Sequence, residues 1–295
     1  GAIQAGMKPA SGLWWMLGRI ALEAENAREA LAAFQNGAQA LEAEGDQGGP
    51  EKGQAPAVSL HLAMGRAALD ASDLVTAKRA VTKAAAHSPQ GWEPLFCQGR
   101  IELAAGSSQK ALGLFSEAWK RRDGQRLMDL SYYSALAFAA EGREEEALKG
   151  LQMAQQLGPG FVPAYRELVR LSGADPAKKL LLEKALADVE RLTAERKAVE
   201  KTIDSTPLEG CGEQYLELGK ICFKVKDPIA FDHLFLASDL LPSNVEACEL
   251  LLSGMKGKQD IFVKVGYLRK VLNQHPGDAA AMRSLAEIYL ELHVR

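Results

Sequence analysis

The chain has 295 residues, of which 47% are hydrophobic and 25% are charged, as in an ordinary folded protein. Its net charge of −3 argues against nucleic acid as a general partner. No apolar run approaches the roughly 18 residues that a membrane-spanning helix needs, so we expect no membrane partner.

The residues that usually carry chemistry are few and scattered. No CxxC pair occurs, and no histidine motif accompanies the cysteines, so we expect neither a metal site nor a cofactor. Nucleophile motifs and phosphate-binding loops are also missing, which predicts a protein that is not an enzyme. Unpaired thiols favour a cytoplasmic location. Because the chain opens with Gly1 we expect a trimmed N-terminus, and an exported form stays open.

A glycine followed by an arginine recurs inside three predicted helices, at Gly18, Gly65 and Gly99, and the last two glycines lie 34 residues apart. Further residues recur at fixed offsets from these positions. The matching sets are Trp14, Leu17, Gly18, Ala30 and Phe34; Met64, Gly65, Ala77, Ala84 and Pro89; Gly99, Ala111, Phe115 and Ala118; and Ala135, Ala147, Ala154 and Pro159.

This pattern resembles the tetratricopeptide (TPR) repeat. The resemblance implies an all-α fold, a right-handed α-solenoid of antiparallel helix pairs A and B with about six to seven repeats. Small residues at two repeat positions let helices A and B approach closely. These are position 8, with Gly18, Gly65, Gly99 and Ala135, and position 20, with Ala30, Ala77, Ala111 and Ala147. A proline at position 32, Pro89 or Pro159, ends helix B.

In chain order we predict a tail at 1–10 and a single repeat array over 11–295. The predicted repeats span 11–44, 58–91, 92–125, 128–161, 162–205, 212–244 and 245–278, followed by a terminal helix at 279–295.

Two insertions interrupt the period. Residues 42–57 are rich in glycine, proline and charge, which predicts a flexible surface loop. After Asp175-Pro176 no glycine or proline occurs before about residue 203, so helix B of the fifth repeat is predicted to extend over 177–204, about 40 Å. Its far half protrudes unless the following segment covers it. Packing within the chain and an intermolecular coiled coil are both open.

The resemblance further implies that positions 5, 9 and 12 of helix A face an inner groove. Position 9 is basic in most repeats, and positions 5 and 9 supply exposed cations and aromatic rings. The predicted partner-binding residues are Arg19, Arg66, Arg100, Arg170 and Lys220 at position 9, with Arg166, Trp15, Phe96 and Tyr132 at position 5.

A basic, aromatic ladder of this kind suits an acidic or partly hydrophobic segment of a partner protein. The same arginines also have a purely structural interpretation, because Glu23 and Asp70 follow Arg19 and Arg66 by four residues and could neutralise them. Arg79 on helix B is predicted to point away from the groove.

Three functions are compatible with such an array. The first is a protein-interaction scaffold without chemistry. The second is self-assembly through the array ends or the long helix 177–204. The third, reading RNA by stacking bases on arginine and aromatic rows, is opposed by the negative charge and by an aromatic content of only 6%.

Overall fold

The computed structural model describes residues 11–24, 26–44, 54–122, 127–173, 175–241, 244–255 and 261–293. Within these ranges the chain is all-α, with fifteen α-helices and one 3₁₀ turn, Leu208–Gly210, and no strand. None of the described helices combines the length and the apolar character needed to cross a membrane. The helices are α1 Ser11–Glu23, α2 Ala27–Glu44, α3 Gln54–Asp70, α4 Leu74–His87, α5 Trp92–Ala104, α6 Ser108–Arg121, α7 Met128–Ala140, α8 Glu144–Leu157, α9 Val162–Leu171, α10 Pro176–Asp204, α11 Gly212–Lys224, α12 Ala230–Leu240, α13 Glu246–Gly254, α14 Ile261–Gln274 and α15 Ala279–His293.

Internal contacts divide the chain into two compact bodies, Gly1–Leu157 and Gly158–Arg295. We call them the N-terminal body and the C-terminal body. Helix pairs fall at the predicted repeats in both bodies, and α15 follows as the terminal helix. That all the repeats form one array stays a prediction.

The N-terminal body consists of four helix pairs, α1–α2, α3–α4, α5–α6 and α7–α8. Helix α5 also contacts α3 and α7, so the A helices of successive repeats adjoin. The interior is built from alanines and a few large side chains, of which Phe34, Phe115 and Leu130 are fully buried. Alanine-rich contacts allow the close approach of helices on which the pairing depends.

Glycines at the A–B crossings explain the recurring sequence pattern. A Cβ atom at Gly65 would lie 2.6 Å from Val81 Cγ2 on the partner helix, closer than real Cβ contacts occur. Gly99 meets Phe115 in the same way, and Gly219 in the C-terminal body meets Leu234. The glycine at position 8 is therefore required by packing, although it lowers helix propensity by about 0.5–1 kcal/mol relative to alanine.

The C-terminal body begins with α9 and the 29-residue helix α10, which starts with Pro176 after its N-cap Asp175. The Asp175 carboxylate accepts hydrogen bonds from the backbone N–H groups of Ala177 and Lys178. Helix α10 packs against α9 and α11, and α11 pairs with α12. The remaining core joins α11 to α15 around residues such as Leu234 and Leu251.

The two parts of the long helix differ in how far they are covered. From about its midpoint onward the helix is packed, since Val189 and Leu192 are buried and the Arg196 guanidinium bonds the Asp227 carboxylate after α11 at 3.3 Å. The first half is open, with Leu180 68% and Leu181 70% exposed. The far half therefore does not protrude, because the following segment covers it, which was one of the alternatives that the sequence left open.

The predicted loop at 42–57 is shorter than expected. Helix α2 continues to Glu44 and α3 already begins at Gln54, so both ends of the predicted loop are helical. The rest of this loop and the predicted tail at 1–10 lie outside the described residues.

Candidate partner-binding surface

Three adjoining A helices of the N-terminal body, α3, α5 and α7, meet around Arg100. Its Nη2 lies 3.5 Å from Asp70 Oδ1 on α3, and its Cζ lies 4.5 Å from the ring centroid of Tyr133 on α7. The Arg100 side chain is only 14% exposed. Arg100 thus joins three helices through an ion pair and a cation–π contact, and it is not the freely exposed cation that the sequence predicted.

Arg66 on α3 is half-buried, and its Nε atom is buried with no hydrogen-bond partner in the described structure. No carboxylate within the described residues forms a salt bridge with it, because Asp70 pairs with Arg100 instead. The predicted neutralisation of Arg66 by Asp70 was therefore wrong. The side chain of Glu23, the corresponding partner proposed for Arg19, lies outside the described residues.

The neighbour of Arg66 is the thiol of Cys97 on α5. Burial raises the pKa of Cys97, and the nearby Arg66 guanidinium offsets this effect only in part. The thiol therefore stays neutral at physiological pH, so it does not provide Arg66 with an anionic partner.

The aromatic residues of the predicted ladder divide between surface and core. Phe96 is 2% exposed and packs edge-on against Tyr133 at 5.7 Å between ring centroids. Its assignment to an open binding surface was wrong, because position 5 here points between adjoining A helices. Leu62 and Leu216, at the same repeat position, are buried for the same reason.

Trp15 and Tyr132 remain half-buried and retain a surface. The Cζ atom of Arg19 lies 5.0 Å from the Trp15 ring centroid, and the Tyr132 ring meets Tyr133 edge-on at 5.2 Å. Trp15 therefore lies beside an arginine, and Tyr132 lies beside a ring that Arg100 contacts.

Tyr133 is the participant that the sequence analysis missed. Burial raises its pKa, although Arg100 opposes the shift, so its hydroxyl remains protonated. The available signal was the Tyr132-Tyr133 pair itself, of which only the first tyrosine was at a predicted groove position.

In the C-terminal body, the predicted cations are compensated by carboxylates. Arg166 Nη2 lies 2.7 Å from Glu190 Oε1 on α10, and Arg170 Nε lies 2.7 Å from Glu167 Oε2. Lys220 Nζ lies 2.8 Å from Glu246 Oε2. Exposed pairs of this kind contribute about 0–1 kcal/mol to stability. Their main effect is to cancel the charge that the ladder was predicted to present.

Arg79, which the sequence placed on helix B away from the groove, lies at a cavity apart from Arg66 and Arg100. It lines a cavity between α4 and the end of α5, together with Val75 and Ile101.

No group of three or more histidine, cysteine or acidic side chains in the described part of the chain is arranged to hold a metal ion. The cysteines Cys97, Cys211, Cys222 and Cys248 are free and buried.

Helix pairs joined through a small residue at the A–B crossing occur in both bodies, and two of these residues, Gly65 and Gly99, are 34 residues apart. The fold is of the tetratricopeptide-repeat type.

Several solved TPR structures are similar to it at low sequence identity. PilW, a type IV pilus biogenesis factor, is 15% identical with a TM-score of 0.44, over 82% of this chain and 97% of PilW. A TPR protein of Thermus thermophilus, TTC0263, is 13% identical with a TM-score of 0.42, over 95% of this chain and 100% of that protein. YrrB, described as a TPR protein with an unusual peptide-binding site, is 14% identical with a TM-score of 0.41, over 72% of this chain and 97% of YrrB. No protein-family model matches the chain, and no curated protein does.

Proposed function

We propose that the chain is a non-catalytic protein-interaction scaffold that binds a partner segment on the inner face of its N-terminal body. The inner face is the surface of the A helices that carries Arg19, Arg66 and Arg100. The observation that supports this proposal is the half-buried Arg66, which has no carboxylate partner within the described residues. A partly desolvated guanidinium that lacks a carboxylate partner is stabilised when an external carboxylate binds it. Arg100 lies on the neighbouring helix and is held in place by Asp70 and Tyr133.

The chemistry of this face favours an acidic, partly hydrophobic segment. Arg66 would bind a carboxylate, and the half-buried rings of Trp15 and Tyr132 would contact apolar side chains. Arg19, stacked on Trp15, would add a second cation at the edge. The expected partner is therefore a protein or peptide segment that carries both acidic and apolar residues.

Arg166, Arg170 and Lys220 would contribute less to binding than the unpaired Arg66. Each would have to exchange its own carboxylate, Glu190, Glu167 or Glu246, for one of the partner. Such an exchange gains little net energy, because one exposed ion pair replaces another. These three residues would affect the orientation of the bound partner more than its binding affinity.

A displayed library of random 12-residue peptides, selected on the full chain, tests the proposal. We expect enrichment of acidic peptides with aromatic or aliphatic residues. Arg66→Ala should weaken the best peptide by about 1.5–3 kcal/mol, the range for a hydrogen bond to a charged group. The loss should shrink at high salt, since accessible charges are screened over about 8–10 Å near physiological ionic strength.

The matched control is Arg143→Ala, because Arg143 is an exposed arginine on the A–B turn before α8 that pairs with Glu146. It should leave peptide affinity unchanged. Peptides that bind the Arg66→Ala variant as tightly as the parent chain would show that the inner face of the N-terminal body has no recognition role.

Self-assembly is a second candidate function, favoured by one feature of α10. Leu180 and Leu181 are exposed near its start, and α1 exposes Met16 and Ile20. A second copy could cover either pair. Light scattering over a hundredfold range of concentration would detect the association, and Leu180→Glu with Leu181→Glu should abolish it if α10 is the contact. A constant monomer mass would reject this candidate.

A further inference from the structure

A second surface of the N-terminal body lies on α4 and the last turn of α5, apart from the inner face. Helix α4 contributes Val75, Arg79 and Thr82 along one stripe, at helical spacing. Helix α5 contributes Ile101, Glu102 and Ala105 on the other side. Between them lies a cavity of about 600 Å³, which we call the outer pocket and which is within the usual range for binding sites, about 300–1,000 Å³.

Val75 gives the outer pocket its apolar character. Its side chain is 81% exposed, more than any other large hydrophobic side chain in the described chain. It adjoins Leu74 and the buried Ile101, which continue the apolar floor beneath it. An aliphatic residue this open to solvent on a lined cavity is a position where burial by a partner would release free energy.

The rim of the outer pocket is basic. Lys78, Arg79 and Lys83 border it, whereas Glu102 is the one carboxylate among the lining residues. Lys83 Nζ is bonded to Glu42 Oε1 at 2.8 Å, but neither Lys78 nor Arg79 forms a salt bridge within the described ranges. Lys78 and Arg79 thus remain available to a ligand, although the nearby Asp73 carboxylate, whose pKa Arg79 helps to lower, offsets part of the charge of Arg79. The Thr82 hydroxyl donates to the Lys78 carbonyl within α4 and does not need a partner.

We propose that the outer pocket docks an acidic amphipathic helix of a partner protein. The lining residues of α4, from Leu74 to Lys83, extend over about 13 Å at 1.5 Å per residue, the length of two to three helical turns. A helix laid along α4 would place apolar side chains against Val75 and Ile101 and acidic ones against Lys78 and Arg79. The pocket has no aromatic lining residue on which a base could stack, which argues against a nucleic-acid ligand.

The test uses two fluorescein-labelled 18-residue helical peptides and the full chain. Both peptides carry leucines at positions i, i+3, i+4 and i+7, and they differ only in flanking glutamates or flanking lysines. Fluorescence anisotropy should show the glutamate peptide binding at least tenfold more tightly than the lysine peptide. Val75→Asp and Arg79→Glu should each weaken the glutamate peptide at least fivefold.

Because Val75 and Arg79 are exposed, both variants should fold, and a circular dichroism melt confirms it. The matched control is Met153→Asp, since Met153 is 43% exposed on α8 and does not line the outer pocket. It should bind like the parent chain.

The proposal is overturned if the parent chain does not prefer the glutamate peptide, or if Val75→Asp binds it as tightly as the parent does. Arg66→Ala separates the two surfaces. If this change abolishes binding and Val75→Asp does not, the peptide occupies the inner face, and the outer pocket is not its site.

Discussion

At the residue scale, close contact between helices A and B requires one very small residue, and the chain supplies it on either helix. Gly65 supplies it from helix A in the second repeat. In the fourth repeat, helix A has Ala135 at the equivalent position, and the glycine is Gly150 on helix B. A Cβ atom at Gly150 would lie 2.9 Å from the Ala135 Cβ. The volume at the crossing is therefore limited, whichever helix provides the glycine.

A pair of glycine substitutions tests this limit. Gly65→Ala should lower the free energy of unfolding by about 1–3 kcal/mol, because the added methyl group displaces Val81 at the crossing of α3 and α4. The control is Gly113→Ala in α6, where an added Cβ meets no atom within 4 Å. Urea denaturation should show this variant unchanged or more stable by up to about 1 kcal/mol, from helix propensity. Equal stability of the two variants would contradict the packing explanation.

Two arginines at repeat position 9, Arg100 and Arg170, should differ in how much their replacement lowers the stability of the chain. Arg100→Ala removes a side chain that is 14% exposed and lies over Tyr133, so we expect a loss of about 1 kcal/mol. Arg170 is 58% exposed and pairs with Glu167 on its own helix, and its replacement by alanine should lower the stability by less than about 0.5 kcal/mol. Thermal unfolding of both variants measures the difference, and equal losses would contradict the structural role of Arg100.

At the element scale, the sequence predicts the helix pairs well and the exposure of their faces less well. The repeat predicted over 92–125 contains α5 and α6 with the turn between them. Phe96, however, was assigned to the surface although it is buried. A single-helix pattern places residues on faces, but it contains no information on how closely the next A helix approaches, and that approach buries position 5.

The length of the long helix α10 could be predicted from the sequence, but the part of it that is covered could not. Its length follows from the absence of glycine and proline between Pro176 and residue 203. Which half is covered depends on the path of the chain after the helix, and here α11 packs on the second half. The ion pair from Arg196 to Asp227 holds that half in place through residues far apart in sequence.

The same substitution in the two halves of α10 measures this asymmetry. Leu192→Ala should lower the free energy of unfolding by about 2–5 kcal/mol, because Leu192 is buried. Leu180→Ala, at a position that is 68% exposed, should change it by less than about 0.5 kcal/mol. Chemical denaturation of the purified variants distinguishes them. Similar losses would mean that the first half of α10 is also covered.

At the scale of the whole molecule, most candidate cations are paired inside the chain, and the exceptions lie on the two surfaces where we propose that a partner binds. Four of the predicted ladder cations, Arg100, Arg166, Arg170 and Lys220, have carboxylate partners. Arg66 and the outer-pocket residues Lys78 and Arg79 form no salt bridge within the described residues. Composition and net charge do not reveal this distribution, because it depends on which carboxylate each cation reaches in the folded chain.

Each body also contains a desolvated histidine, the buried His61 and the half-buried His233, and we expect these two residues to make the chain sensitive to acid. Burial lowers the pKa of His61 below its ordinary value of 6.5, and Lys83 and His87 on α4 lower it further, against Glu42 on α2. In the C-terminal body, burial lowers the pKa of His233, and Arg196 lowers it further, whereas Glu200, Asp232 and Asp227 oppose the shift. Neither His61 Nδ1 nor His233 Nε2 has a hydrogen-bond partner in the described structure.

The folded chain therefore keeps both imidazoles neutral at pH values where the unfolded chain protonates them. As the pH falls through 6.5 toward the lowered pKa values, the unfolded state takes up protons that the folded state does not. The free energy of unfolding should decrease in this window by up to about 1.4 kcal/mol per pH unit for each histidine. Urea denaturation at pH 7.5, 6.5, 5.5 and 5.0 measures the slope.

His61→Gln and His233→Gln should each make this slope shallower, and His275→Gln, which removes an exposed histidine, should not. If the double variant His61→Gln/His233→Gln keeps the full slope of the parent chain, these two histidines are not the source of its acid sensitivity.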